Sequence, residues 1–182
     1  MNDTLKTIAT RFSCRSFTDQ RLSDEQLHLL AQAAIQAPSG MNGQPWQIIV
    51  VKDTKLIADM DTEGMRVLAA MEDKSAYERM MSRGGKLFYN APCMIVVAIK
   101  NNAQLDCGIA AQNVVLAATS MGINNLHCGL LGLAFAGDKA GDFKRRLQFP
   151  DSYECGIGIL LGYAAGSSTP HTPDQSKITI IE

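Results

Sequence analysis

The sequence predicts a layered α+β domain in which helices cover a central sheet, and three observations lead there. Two apolar runs rich in β-branched residues, WQIIVVK at 46–52 and CMIVVAI at 93–99, have the length and make-up of buried strands. Segments whose apolar residues recur at helical spacing lie around them. The chain of 182 residues, 46% hydrophobic and 19% charged, has an ordinary globular composition and enough length for one sizeable core. One domain spanning 1–182 is therefore expected.

In chain order, an opening helix precedes RFSCRSF at 11–17. Ser23, followed three residues later by Gln26, forms a capping box, and Leu27, Leu30, Ala31 and Ala34 then share a face, which predicts a helix over 23–36. The stretch after Pro38, PSGMNGQ, reads as a loop feeding the first strand. Leu56, Met60, Met65, Leu68 and Met71 give a helix over 54–72, with Gly64 disturbing the pattern, and 61–90 is the segment with the least legible periodicity. After the 93–99 strand, Ala110, Val114, Ala117 and Met121 mark a long helix that Gly122 ends. Further strands are expected at Asn124–Cys128 and Cys155–Leu161, with a polar helix at 138–147 between them. The polar arm GSSTPHTPDQ then leads to ITII at 178–181, a β-forming segment expected to pair with another chain.

Composition removes several function classes. With 17 basic and 18 acidic side chains, no global field draws the chain to nucleic acid or to an anionic membrane. No run approaches the roughly 20 apolar residues that span a bilayer, and MNDTLKTIAT lacks the apolar stretch of a secretory leader, so the cytoplasm is the expected address. The five cysteines are odd in number and contain no CxxC pair, which reads as reduced, buried thiols. GIGILLG at 156–162 has the wrong spacing for a dinucleotide fingerprint and lies in an expected strand. No HExxH or paired-cysteine motif offers a metal site. His28, His127 and His171 read as structural.

Two clusters remain. In an extended segment, alternation sends Arg11, Ser13 and Arg15 to one side, where two guanidinium groups and a hydroxyl suit a phosphate; two solvated surface arginines are the competing reading. The loop holding Pro38, Ser39, Asn42 and Gln44 offers amide and hydroxyl groups that match the edge of an uncharged heterocycle such as isoalloxazine, although an ordinary helix-to-strand turn has a similar composition.

The pairing of RFSCRSF with APSGMNGQPWQIIVV resembles the nitroreductase family and its RxSxRxF and APSxxNxQPWxFxVV elements. DCGIAAQNVVLAATSMGI is similar to that family's central dimer-forming helix, and GIGILLGYAAG to its last core strand. The resemblance implies a mainly antiparallel sheet flanked by helices, in an intertwined homodimer with an exchanged C-terminal arm and FMN at the subunit interface. It implies that Arg11, Ser13 and Arg15 hold the flavin phosphate and pyrimidine edge. Pro38, Ser39, Asn42 and Gln44 then come from the partner, and Gly129 and Leu130 direct a backbone N–H to the flavin N5. Where many members carry a basic pair in the tail, this chain has His171 and Lys177. The implied activity is hydride transfer from NADH or NADPH to FMN and on to a nitroaromatic, quinone or related small-molecule acceptor in ping-pong order. No catalytic side chain is required beyond electrostatic support from Arg15. The same resemblance allows a flavin-binding or redox-sensing protein without turnover, or related dehydrogenation, dehalogenation or flavin breakdown.

Overall fold

A computed structural model describes residues 1–100 and 102–182. Among the described residues, six α-helices accompany four strands: α1 (Asp3–Thr10), α2 (Asp24–Ile35), β1 (Trp46–Val51), α3 (Thr54–Ala70), α4 (Ser75–Met81), β2 (Cys93–Lys100), α5 (Gln104–Ser120), β3 (Asn124–Cys128), α6 (Ala140–Arg146) and β4 (Tyr153–Gly162). The strands form one antiparallel sheet in the order β1-β2-β4-β3. β2 and β4 are therefore central and buried, as their continuous apolar runs require. β1 departs from its expected burial. It is an edge strand in which only Trp46 and Val51 are buried, and its outer side opens on a groove of about 420 Å³.

The caps explain where the helices begin and stop. Ser23 and Gln26 close the expected capping box on α2. Gly122 adopts φ 70°, and the Ile123 N–H donates to the Ala118 carbonyl at 2.8 Å, a six-to-one closure that ends α5. Gly64 weakens the α3 pattern because packing requires it: a Cβ there would stand 2.5 Å from Leu87 Cδ1. The legible part of 61–90 is thus the end of α3, and the short α4 behind it carries one buried residue, Met80.

Two cores form on the two faces of the sheet. One packs α3, α6 and the 3₁₀ segment Gly129–Phe135 through Met60, Leu87, Phe88, Leu131 and Phe143. The other packs α2 and α5 through Leu30, Ala110, Val114 and Ile159. α5 buries Cys107, Ala110, Ala111, Val114, Val115 and Ala118, which keeps Ala110 and Val114 of the expected stripe but leaves Ala117 and Met121 half-buried, because α1, α2 and the sheet contact it from several sides. All five cysteines are free. Burial pushes Cys93 and Cys155 up to about 12 and Cys107 and Cys128 up to about 11, so they stay protonated and unreactive at neutral pH.

The β2–β4 register slips at one residue. Val97 faces Ile157 and Ala98 faces Cys155, which leaves Gly156 as the extra residue of a bulge. A Cβ at Gly156 would stand 2.6 Å from Cys107 Sγ and 2.9 Å from the Val97 carbonyl oxygen, so α5 and β2 both approach a bare backbone. Gly156→Ala is expected to destabilise the fold by about 1–3 kcal/mol through overpacking, read as a lowered urea midpoint.

Candidate functional site

Arg11 to Phe17 run along the β3 edge and across the end of β4. Ser13 bridges Asn125 in parallel, Phe17 bridges Ala164 antiparallel, and the Cys14 N–H donates to the Asn125 carbonyl at 2.9 Å. Burying Cys14 and Phe17 fixes the segment's inner side. Arg11 Nη1 then donates to Ser13 Oγ at 3.5 Å, and Arg15 Nη1 reaches the Ser13 carbonyl at 3.4 Å. The three polar residues converge around Ser13, with Arg15 exposed and Arg11 half-buried. Neither arginine forms an ion pair among the described residues, which leaves both charges available to an anion.

Asn125 anchors this arrangement from beneath. It is 1% exposed, and its Nδ2 donates to the Val115 carbonyl, Thr119 Oγ1 and the Ile123 carbonyl at 3.2, 3.0 and 3.3 Å. Three acceptors around one nitrogen settle the amide's orientation, and Oδ1 is left buried without a donor. Sequence reasoning passed over Asn125, since an asparagine in a short strand carries no signature.

The 38–45 loop forms a 3₁₀ turn at Gly40–Asn42. Met41, Asn42 and Gln44 take φ of 50°, 55° and 43°, so three non-glycine residues within four positions occupy the left-handed region, a strain of about 1–3 kcal/mol each. The Gln44 N–H donates to Ser39 Oγ at 2.9 Å, and Gln44 Nε2 to Asn42 Oδ1 at 3.2 Å. The Gly40 N–H donates to Asp106 Oδ1 at 3.1 Å, which ties the loop to the first turn of α5. Pro38, Asn42 and Gln44 are exposed, and Met41 is 94% exposed.

These two clusters do not meet within one chain. The loop is fixed at Asp106, whereas the Arg11 segment adjoins Thr119, Gly122 and Asn125 at the other end of α5. The thirteen-residue rise along the helix from Asp106 to Thr119 sets these two anchor points about 20 Å apart. α5 also presents an outward surface with Leu105, 78% exposed, and half-buried Ile109. Nearby α1 buries nothing and leaves Leu5 and Ile8 half-exposed.

Gly129 and Leu130 open the 3₁₀ segment at the end of β3. Gly129 is exposed and Leu130 half-buried. His171 and Lys177 lie in the exposed arm, where Lys177 Nζ stands 3.9 Å from Asp174 Oδ2. A short 3₁₀ turn at Gln175–Lys177 precedes 178–181, and those last residues form no strand within this chain. Ile178, Ile180 and Ile181 are all exposed. GIGILLG lies inside β4, as its reading as strand requires.

The fold is thus an α+β sheet with an arginine–serine cluster on one edge and a polar, strained loop beyond the other end of its central helix. The chain belongs to the nitroreductase family, whose model matches residues 8–163. A solved nitroreductase of Desulfitobacterium hafniense with bound FMN is 55% identical, covers 100% of both chains and superposes with a TM-score of 0.98. One from Bacteroides fragilis with bound FMN is 27% identical over 100% of both chains, with a TM-score of 0.91. The NADPH-dependent FMN reductase of Bacillus subtilis is 28% identical over 97% of this chain and 72% of its own length. No helix among the described residues is long and apolar enough to cross a membrane.

His127 lies on β3 beside this cluster, half-buried. Burial first, and the neighbouring Arg11 charge second, hold its imidazole below the ordinary 6.5, against a hydrogen bond at the Ala111 backbone. The unfolded chain therefore takes up a proton at a higher pH than the fold does. Stability present above about pH 6.5 is expected to be lost as pH falls through the folded value, and His127→Asn to flatten that loss in urea midpoints measured between about pH 7.5 and 5.

Proposed function

We propose that this chain is an FMN-dependent oxidoreductase that takes hydride from NADH or NADPH and reduces a nitroaromatic, a quinone or a related oxidised organic acceptor. It acts as a homodimer with two flavin sites. The observation that carries this reading is the separation of the Arg11–Ser13–Arg15 cluster and the 38–44 loop along α5. A two-fold axis crossing α5 sets the loop of one copy against the arginine cluster of the other, so each site takes both halves. Leu105, Ile109, Leu5 and Ile8 supply the apolar surface for that contact. The FMN held by the Desulfitobacterium hafniense and Bacteroides fragilis structures, and the NADPH-dependent activity named for the Bacillus subtilis relative, support the same cofactor and donor here.

The residues present fit FMN. Arg11 and Ser13, with unpaired donors directed to one surface, are suited to its phosphate, and Lys177 or His171 of the arm adds a further donor to it. Arg15 supplies positive charge for the pyrimidine edge, where electron density collects on reduction. Pro38, Ser39, Asn42 and Gln44 of the other copy pack against the ring, the strained backbone holding Asn42 and Gln44 outward. The amide of Gly129 or Leu130, at the turn that ends β3, is the backbone donor for N5. When bound, the flavin supplies the redox chemistry, accepting hydride and returning electrons to the acceptor in a ping-pong order. The protein binds, orients and neutralises charge, and no side-chain nucleophile takes part.

The arm completes the dimer in this reading. β1 exposes a free edge and a groove, and ITII is a β-forming segment with no strand partner in its own chain. Addition of the partner's arm to such an edge satisfies both.

Protein reconstituted with FMN is expected to be bleached anaerobically by NADH or NADPH and recoloured by a nitroaromatic or a quinone. A flavin that neither nucleotide reduces would leave a binding or sensing protein in place of the enzyme. Arg15→Ala is expected to weaken FMN binding about tenfold to a hundredfold, the loss of a charge-assisted contact, in fluorescence titration. Truncation after Ser167 is expected to shift the sedimentation profile from dimer toward monomer and to lower FMN retention with it; an unaltered dimer would remove the arm from the interface.

A further inference from the structure

A second cavity, of about 480 Å³, lies away from the arginine–serine cluster, between the first half of α3 and the 86–92 segment. Ile57, Phe88 and Pro92 give it apolar walls, and Arg21, Asp61 and Lys86 give it charge. Its floor holds an ionisable group that the flavin reading does not use. Asp61 is 4% exposed, and its Oδ1 accepts the Phe88 N–H at 2.7 Å. Oδ2 has Lys86 Nζ at 3.8 Å, beyond hydrogen-bond reach, so one oxygen of a buried carboxylate lacks a close donor. Burial raises the Asp61 carboxyl above the ordinary carboxylate value, and the Phe88 amide, the Lys86 charge and the Leu87 amide offset it only in part.

Arg21 stands on the same cavity, and its one hydrogen bond, from Nη1 to the Lys52 carbonyl, is 3.3 Å long. Most of a planar five-donor fork is thus available to a carboxylate. Asp19 also lines the cavity, so its formal charges balance: Arg21 and Lys86 against Asp19 and Asp61. A cavity lined by both signs of charge suits a ligand that carries both signs, whereas a simple anion or cation meets repelling partners. The backbone at the cavity wall is also strained. Asn90, which lines the cavity, takes φ of 56°, and Tyr89 just before it takes 49°, left-handed conformations of the kind that gather at ligand sites.

We propose that this cavity is a binding site for a small organic zwitterion of the α-amino-acid class, with its ammonium on Asp61 Oδ2 and its carboxylate on Arg21. An apolar side chain then lies along Ile57, Phe88 and Pro92. The site connects to the turn at the end of β3, since the Leu87 carbonyl beside Phe88 accepts from Cys128 Sγ at 3.9 Å and Cys128 precedes Gly129. The inference stands on the cavity and does not depend on hydride transfer.

Isothermal titration of the FMN-loaded protein with L-leucine, L-phenylalanine and L-methionine tests it. Saturable binding of at least one is expected, weakened about tenfold or more when its amine is acetylated or its carboxylate converted to the amide. Asp61→Asn, which keeps an acceptor for the Phe88 N–H, and Arg21→Gln, at an exposed position, are each expected to weaken it by a similar factor. No saturable binding of the three up to about 20 mM overturns the proposal, as does equal affinity for the blocked derivatives or affinity indifferent to the substitutions. If Asp61→Asn does not fold by circular dichroism, Arg21→Gln and the derivatives decide the matter.

Discussion

The rest of the structure depends on the enclosure of α5. Its sequence is apolar or small around most of its circumference, so a stable helix has to be covered on nearly every side. One chain covers part of it. The sheet takes Cys107, Val114 and Ala118, α2 packs along its flank, and the bulge at Gly156 removes the side chain that would hold helix and sheet apart. The Leu105 and Ile109 surface is what remains. Because the two polar clusters sit at opposite ends of the same helix, whatever covers that remaining surface also decides whether the clusters meet. Packing and site assembly are one problem in this molecule.

Much of the fold was legible because the elements that form the cores obey local rules. The capping box at Ser23 and Gln26, the β-branched runs of β1 and β2, and Gly122 as the stop of α5 are each determined within a few residues. One misreading concerns β1, which has the composition of a buried strand yet lies at the sheet edge. It carries apolar, β-branched side chains without a full intramolecular reason, and composition does not say whether burial comes from the same chain or another. Gly64 blurred a helix that the structure bears out, since it breaks the apolar pattern where α3 comes close to Leu87.

The candidate site shows the same division. Arg11, Ser13 and Arg15 were readable as a group because alternation in an extended segment brings them together, and in the structure both arginines reach Ser13. Their distance from Asn42 and Gln44 was not readable, because it is set by the length and packing of α5. Asn125 and Asp61 were invisible for a related reason. Each is an ordinary polar residue in the sequence, and each becomes informative only once burial leaves one of its oxygens without a close donor.

Strain in the backbone follows the same logic. Met41, Asn42 and Gln44 would relax toward ordinary dihedrals if the loop were free, yet Ser39 Oγ holds the Gln44 amide and Asp106 holds the Gly40 amide from a helix that does not move with the loop. Tyr89 and Asn90 are held comparably, between the Asp61 bond to the Phe88 amide and the start of β2. In both places a carboxylate on a long helix fixes the backbone of a connecting segment, and the segment gives up its preferred conformation to face outward or to wall a cavity. Helices of 17 residues are stiff enough to serve as such anchors, and the fold places one on each face of the sheet, α3 and α5. The rigid framework and the strained surface segments are therefore a single device: the cores supply the free energy that keeps unfavourable loop geometry in place where a ligand can use it.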